Sequence, residues 1–126
     1  MARILLIEDD NQLRPLLFGM LQVAGHEVVQ ASNGKEGLHA FNEWEPEIVI
    51  TDLMMPEKDG LEIIMELRRK YPKLQIIAMS GGIELTKLNL LPVAQKLGAV
   101  RTLAKPFRPR QLLEAVAEAL EVAGKQ

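Results

Sequence analysis

The chain reads as a doubly wound α/β domain, and three observations lead there. Short β-branched apolar runs recur five times along the 126 residues, helical stripes separate them, and each run stops abruptly at a polar or charged residue. Strands and helices alternating in this way demand a parallel sheet, because right-handed crossovers place helices on both of its faces. The length suits one sizeable core and leaves no room for a second catalytic module. No repeat, linker or low-complexity segment interrupts it, so residues 1–126 are taken as one domain.

Each element has its own justification. Arg3-Ile4-Leu5-Leu6-Ile7 is a buried strand that runs into Glu8-Asp9-Asp10. Leu13, Leu16, Leu17, Met20, Leu21 and Ala24 form a helical stripe closed by Gly25, and Pro15 predicts a start that is frayed or shifted near Gln12–Arg14. His26–Ala31 is the second strand; Ser32-Asn33-Gly34 then opens a helix carrying Leu38 and Phe41, which Pro46 terminates. Glu47–Thr51 is the third strand and ends at Asp52. Asp59 is a plausible cap for the stripe of Leu61, Ile64, Met65 and Leu67, with Arg68-Arg69-Lys70 as a solvated last turn. Leu74–Met79 is the fourth strand and ends at Ser80-Gly81-Gly82. Residues 83–91 lack a clean period, and Pro92 opens a short helix through Leu97. Val100–Ala104 is the fifth strand, running into Lys105-Pro106-Phe107, and Leu113, Val116, Ala117 and Leu120 stripe a final helix.

Composition excludes several functions. With no Cys there is no disulfide scaffold, thiolate zinc site or Cys nucleophile, and 15 basic against 17 acidic residues argue against a nucleic-acid-coating protein. No apolar run approaches the roughly 18 residues of a membrane span, and nothing resembles a secretion signal, so a cytoplasmic location is expected.

Ligands of doubly wound sheets bind beyond the carboxyl ends of the strands. The residues there are Glu8, Asp9 and Asp10, then Asp52, Ser80 and Lys105. Carboxylates from two strand ends repel one another unless a cation sits between them, and without Cys or convergent His a hard, oxygen-ligated ion, Mg²⁺, fits best. Asp9 and Asp52 are the expected direct ligands, Glu8 acts through water, and the backbone carbonyl of Met54 reaches the same ion. A carboxylate beside such an ion, a lysine and a hydroxyl is equipped to accept a phosphoryl group. Asp52 stands alone at the centre of the sheet, which makes it the nucleophile rather than Asp9. The Lys105-Pro106 bond is of the type in which a cis peptide costs least.

These residues resemble the response-regulator receiver domain of two-component signalling. The resemblance rests on Ile4–Asp10, Ile48–Pro56 with Asp59-Gly60, Ile77–Gly81 and Lys105-Pro106-Phe107, and it spans the chain. It implies a flavodoxin-like sheet of order 2-1-3-4-5. It also implies Asp52 as phosphoacceptor, Glu8 and Asp9 as the acidic pair, Met54 as carbonyl ligand, Ser80 as switch hydroxyl and Lys105 as the phosphate-contacting base. The implied donor is a sensor histidine kinase or histidine phosphotransfer protein. The implied output is a shift of the face formed by helix four, strand five and helix five, toward an unspecified protein, by a monomer or a phosphorylation-dependent dimer. Met54 and Gly82 are implied to flank the approach of hydrolytic water. Thr102 stands where the family often has an aromatic residue, so reordering of Gly81–Leu91 is expected to carry more of the switch. The protein is expected to catalyse only its own phosphorylation and dephosphorylation. Two other readings stand beside it: a phosphate-independent interaction domain on the same scaffold, and a Mg²⁺ aspartyl-phosphate phosphohydrolase of the haloacid-dehalogenase type, which wants an acid where this chain has Met54. Either a single-domain regulator or a receiver cut from a longer chain fits, and Met1 directly before the first strand favours a natural N-terminus. His26 and His39 are expected at the surface, and Trp44 in packing remote from Asp52.

Overall fold

The computed structural model describes residues 2–53, 60–81, 91–99 and 101–124. Its elements alternate as expected: β1 (Arg3–Ile7), α1 (Leu13–Val23), β2 (Glu27–Ala31), α2 (Gly34–Trp44), β3 (Ile48–Asp52), α3 (Gly60–Lys70), β4 (Gln75–Gly81), α4 (Leu91–Leu97), β5 (Arg101–Lys105) and α5 (Pro109–Gly124). All strand pairs are parallel and their order is β2-β1-β3-β4-β5.

Alternation along the strands divides the core in two. Ile4 and Leu6 of β1, Ile48 and Ile50 of β3, Ile77 and Met79 of β4 and Leu103 of β5 pack with Leu17 and Leu21 of α1 and Leu112 and Val116 of α5. The intervening residues Leu5, Ile7, Val49, Ile76 and Ala78 pack with Phe41 of α2, Ile63, Ile64 and Leu67 of α3 and Ala94 of α4. Burial on both faces is why β1 and β3 read as unbroken apolar runs rather than alternating ones.

Several boundaries differ from the sequence reading. Pro15 is the third residue of α1, still in the first turn, where its missing N–H has no intrahelical partner. The helix starts at Leu13, within the Gln12–Arg14 range the sequence predicts, and the start is ordered rather than frayed: Asp10 Oδ1 accepts from the N–H groups of Gln12 at 2.8 Å and Leu13 at 3.1 Å. β3, β4 and β5 each reach further than expected, to Asp52, Gly81 and Lys105, because cross-strand pairing continues through Asp52–Met79 and Gly81–Lys105. Arg68 is half-buried rather than solvated; it donates to the carbonyls of Pro72 at 2.6 Å and Gly98 at 2.7 Å, tying the end of α3 to that of α4. His26 is half-buried too, its Nδ1 accepting from the Ala2 N–H at 3.1 Å, and burial lowers its pKa. His39 is exposed beside Glu43, and Trp44 packs under the Arg3 guanidinium, 4.7 Å from its ring centroid. Asp59, Met54, Gly82 and residues 83–90 lie outside the described residues, as therefore does most of the segment expected to reorder.

Gly60 has a steric task. A Cβ there would lie 2.2 Å from the Asp52 carbonyl oxygen and 2.7 Å from the Leu53 Cα, both backbone atoms that cannot yield as a side chain would. The Gly60 N–H donates to the Leu53 carbonyl at 3.1 Å, so the first turn of α3 is pressed against the end of β3. Replacing Gly60 by Ala is expected to lower unfolding free energy by about 2 kcal/mol or more through forced backbone movement. Urea denaturation measures it, and a variant within about 0.5 kcal/mol of wild type would contradict the close packing.

Candidate functional site

The site is built by the period of the strands. Glu8 lies two residues beyond Leu6, Asp52 two beyond Ile50, and Lys105 two beyond Leu103, so all three side chains leave the sheet on the side of α1 and α5. β1 and β3 are neighbours in register, with Ile7 opposite Thr51, which makes Glu8 and Asp52 the next residues on adjacent strands. Both are buried, Glu8 completely and Asp52 with 4% exposure.

Lys105 joins them. Its Nζ donates to Glu8 Oε1 at 2.5 Å and to Asp52 Oδ2 at 2.9 Å, 97 and 53 residues apart in the chain. Burial opposes the ammonium, but hydrogen bonds and charge from the two carboxylates outweigh it and raise the Lys105 pKa. The Lys105-Pro106 peptide is cis.

Asp9 completes an acidic cluster: one carboxylate oxygen from each of Glu8, Asp9 and Asp52 lies within 4.8 Å of the others. When ionised, these three carboxylates carry three negative charges against the one positive charge of Lys105, leaving two uncompensated. An all-oxygen donor set with that excess charge fits a divalent cation. Asp10 stands apart: it is exposed, and the backbone N–H groups of Gln12 and Leu13 hold its carboxyl below the usual range.

Ser80 is buried at the end of β4, one residue past Met79, the register partner of Asp52. Its parity is that of Ala78, so it leaves the sheet on the side of α3 and α4. Met54 lies outside the described residues, so the expected carbonyl ligand has no geometry here. Two contributors escaped the sequence reading. Gly60 enters the sequence reading only within the Asp59-Gly60 pair, and its steric task shows only where α3 meets the end of β3. Arg14, whose Nη1 donates to the Glu8 carbonyl at 2.9 Å, gave no signal beyond lying in the turn after the acids.

A five-stranded parallel sheet with acids at two adjacent strand ends and a lysine from a third defines a doubly wound α/β class with an acidic strand-end site, and comparison with known proteins gives its family. The family described as response regulator receiver domain matches residues 4–117. The chain belongs to that family. It is 38% identical over 122 residues to the sensor kinase CckA of Brucella abortus, covering 95% of this chain but only 13% of that protein. It is 33% identical to the chemotaxis protein CheY of Thermotoga maritima, covering 90% of this chain and 93% of that one. Among solved structures, a response regulator receiver domain protein from Clostridium thermocellum superposes with a TM-score of 0.87 at 32% identity, covering 96% of this chain and 95% of the other. The fold and the family are those implied by the resemblance. No helix among the described residues is long and apolar enough to cross a membrane.

Burial raises the Glu8 pKa to about 7, reinforced by the charge of Asp52 and opposed by the Lys105 hydrogen bond. Between the unfolded value near 4.5 and the folded value near 7, the folded state holds a proton that the unfolded state has lost. Stability therefore falls as pH rises through that window. In chelator, the wild type is expected to lose about 2–3 kcal/mol relative to Glu8→Gln over that range. Parallel chemical denaturation curves at several pH values measure this; a constant difference would show that Glu8 is not buried as a neutral acid.

Proposed function

We propose that this receiver accepts a phosphoryl group on Asp52 from a histidine phosphodonor, with Mg²⁺ held by Glu8, Asp9 and Asp52. Bridging of the Glu8 and Asp52 carboxylates by Lys105 carries this reading, because it places a cation beside the one carboxylate delivered by the central strand. An Asp52 oxygen attacks the phosphorus in line, the phosphorus–nitrogen bond of the donor breaks, and its electron pair stays with the leaving imidazole. The bound ion would offset negative charge on the phosphoryl oxygens. Lys105 pairs with one of those oxygens, and the Ser80 hydroxyl donates to another. By resemblance, the Met54 carbonyl is a further ligand. The protein acts as a catalyst only toward its own phosphorylation and dephosphorylation, and the output is a rearrangement of α4, β5 and α5 read by a protein partner.

An apolar groove beside the site supports this reading. Leu13, Leu16, Met20, Pro106 and Phe107 line an apolar groove of about 570 Å³, together with Lys105. Leu16 is 65% exposed there. A donor protein covering this groove buries apolar surface while its phosphohistidine faces Asp52.

Acetyl phosphate with Mg²⁺ is expected to add one phosphoryl group to the wild type, seen by intact mass, and none to Asp52→Asn or to protein in chelator. Labelling of Asp52→Asn to the same extent, or no labelling of wild type by acetyl phosphate or a competent kinase, would sink the proposal.

The groove is tested separately. Leu16→Glu should slow transfer from any histidine kinase that labels the wild type by 10-fold or more, the effect of losing roughly 1.4 kcal/mol of docking. Labelling by acetyl phosphate should be unaffected. Equal slowing of both routes would place Leu16 in the stability of α1 rather than in docking.

A further inference from the structure

We propose that Arg14 is a positioning residue for the acids of the site, acting through the main chain that carries Glu8 and Asp9. This rests on the cation-binding reading of the acidic cluster and goes beyond it to name what orients the cluster. Arg14 lies in the first turn of α1, with its Nη1 donating to the Glu8 carbonyl at 2.9 Å and its Nη2 donating to Asn11 Oδ1 at 2.8 Å. One planar guanidinium thus holds both ends of residues 8–11, the segment where β1 has stopped and α1 has not begun.

The Glu8 carbonyl is the decisive contact. It belongs to the planar peptide joining Glu8 to Asp9, so fixing its direction fixes a backbone torsion on each side, and with them the departure directions of both side chains. Glu8 is held further by Asp10, whose N–H donates to Glu8 Oε2 at 3.1 Å, and by its own N–H, which donates to the Ala31 carbonyl at 3.1 Å. Among the described residues no comparable hydrogen bond holds Asp9, and the peptide that Arg14 grips precedes it directly. The start of α1 does not need the guanidinium, since the Asp10 carboxylate already caps Gln12 and Leu13. Lysine is a poor substitute: a single ammonium lacks the fork that spans two separate acceptors.

Charge and positioning predict opposite signs. Removing a positive charge near a dication site tightens cation binding by Coulomb's law. Loss of an outer partner that orients ligands weakens it, typically 10- to 100-fold. Titration of the full chain with magnesium chloride, followed by amide NMR, is expected to show Arg14→Gln binding about 10-fold or more weakly than wild type. Arg14→Lys should fall between them, and thermal melting of both variants should stay close to wild type. Equal or tighter binding by Arg14→Gln would overturn the proposal; should that variant fail to fold, wild-type affinity in Arg14→Lys would do so. Amide hydrogen exchange without magnesium separates this from failure of the cation reading. Faster exchange at Asp9–Asn11 in Arg14→Gln, with the core strands unchanged, supports positioning, and unaltered exchange overturns it. A wild type that ignores magnesium removes the cation reading and leaves exchange to decide on Arg14.

Discussion

The contact between Lys105 and the paired carboxylates of Glu8 and Asp52 exists only because three strands keep the same side-chain parity to their last residue. Leu6, Ile50 and Leu103 face α1 and α5, so the residues two positions on do the same. A slip of one residue in the register of β3 would turn Asp52 to the opposite face and Ile48 and Ile50 with it. The hydrophobic core and the acidic site therefore depend on one register, and a change that spoils either spoils both. Gly60 belongs to this arrangement, since the close approach of α3 to the Asp52 carbonyl leaves no space for a side chain.

Assembling the site works against stability. Glu8 is fully buried, and the energy needed to strip a carboxylate of water appears in its raised pKa despite contacts from Lys105 and the Asp10 N–H. One ammonium among three carboxylates cannot neutralise them, and a buried ion pair of this kind is weak evidence of stabilisation. The cluster is better understood as poised for a further cation. Ionised Glu8 is the form such a cation would prefer, so its binding below neutral pH would displace a proton, and metal, proton and lysine would compete over the same oxygens.

Much of this was legible in the sequence because parallel, doubly covered strands announce themselves as apolar runs and their ends as breaks in those runs. Ile7 to Glu8 and Thr51 to Asp52 are sharp chemical steps, and the strand-end rule then selects the carboxylates. What could not be read is geometry transverse to the chain. The sequence reading places Asp9 in the cluster, but nothing in the spacing shows that Asp10 caps α1 instead, because both follow Ile7 closely and differ in the direction their side chains take. Arg68 looked like an ordinary cationic helix end, and only the fold brings the Gly98 carbonyl to it from α4. Strand ends were misjudged by a residue or two for a related reason: Ser80, Gly81 and Lys105 have weak strand preference, and pairing with neighbours extends the ladder through them.

Ser80 differs from the other site residues in a way that bears on how the site communicates. Its parity turns it to the side of α3 and α4, whereas Glu8, Asp52 and Lys105 face α1 and α5. A phosphoryl group at Asp52 that draws on the Ser80 hydroxyl would engage both faces of the sheet at once. Movement at Ser80 falls at the end of β4, beside Ala104 of β5 in register and ahead of α4 in the chain. On the outward parity of β5, Thr102 is half-buried and Ala104 exposed, so that edge presents small side chains with no ring to swing. The end of α4 is meanwhile tied by Arg68 to that of α3. A helix tied at its C-terminus pivots rather than slides when its N-terminus is displaced, so under the proposed phosphorylation a change at Asp52 would act with the greatest leverage at the N-terminal end of α4.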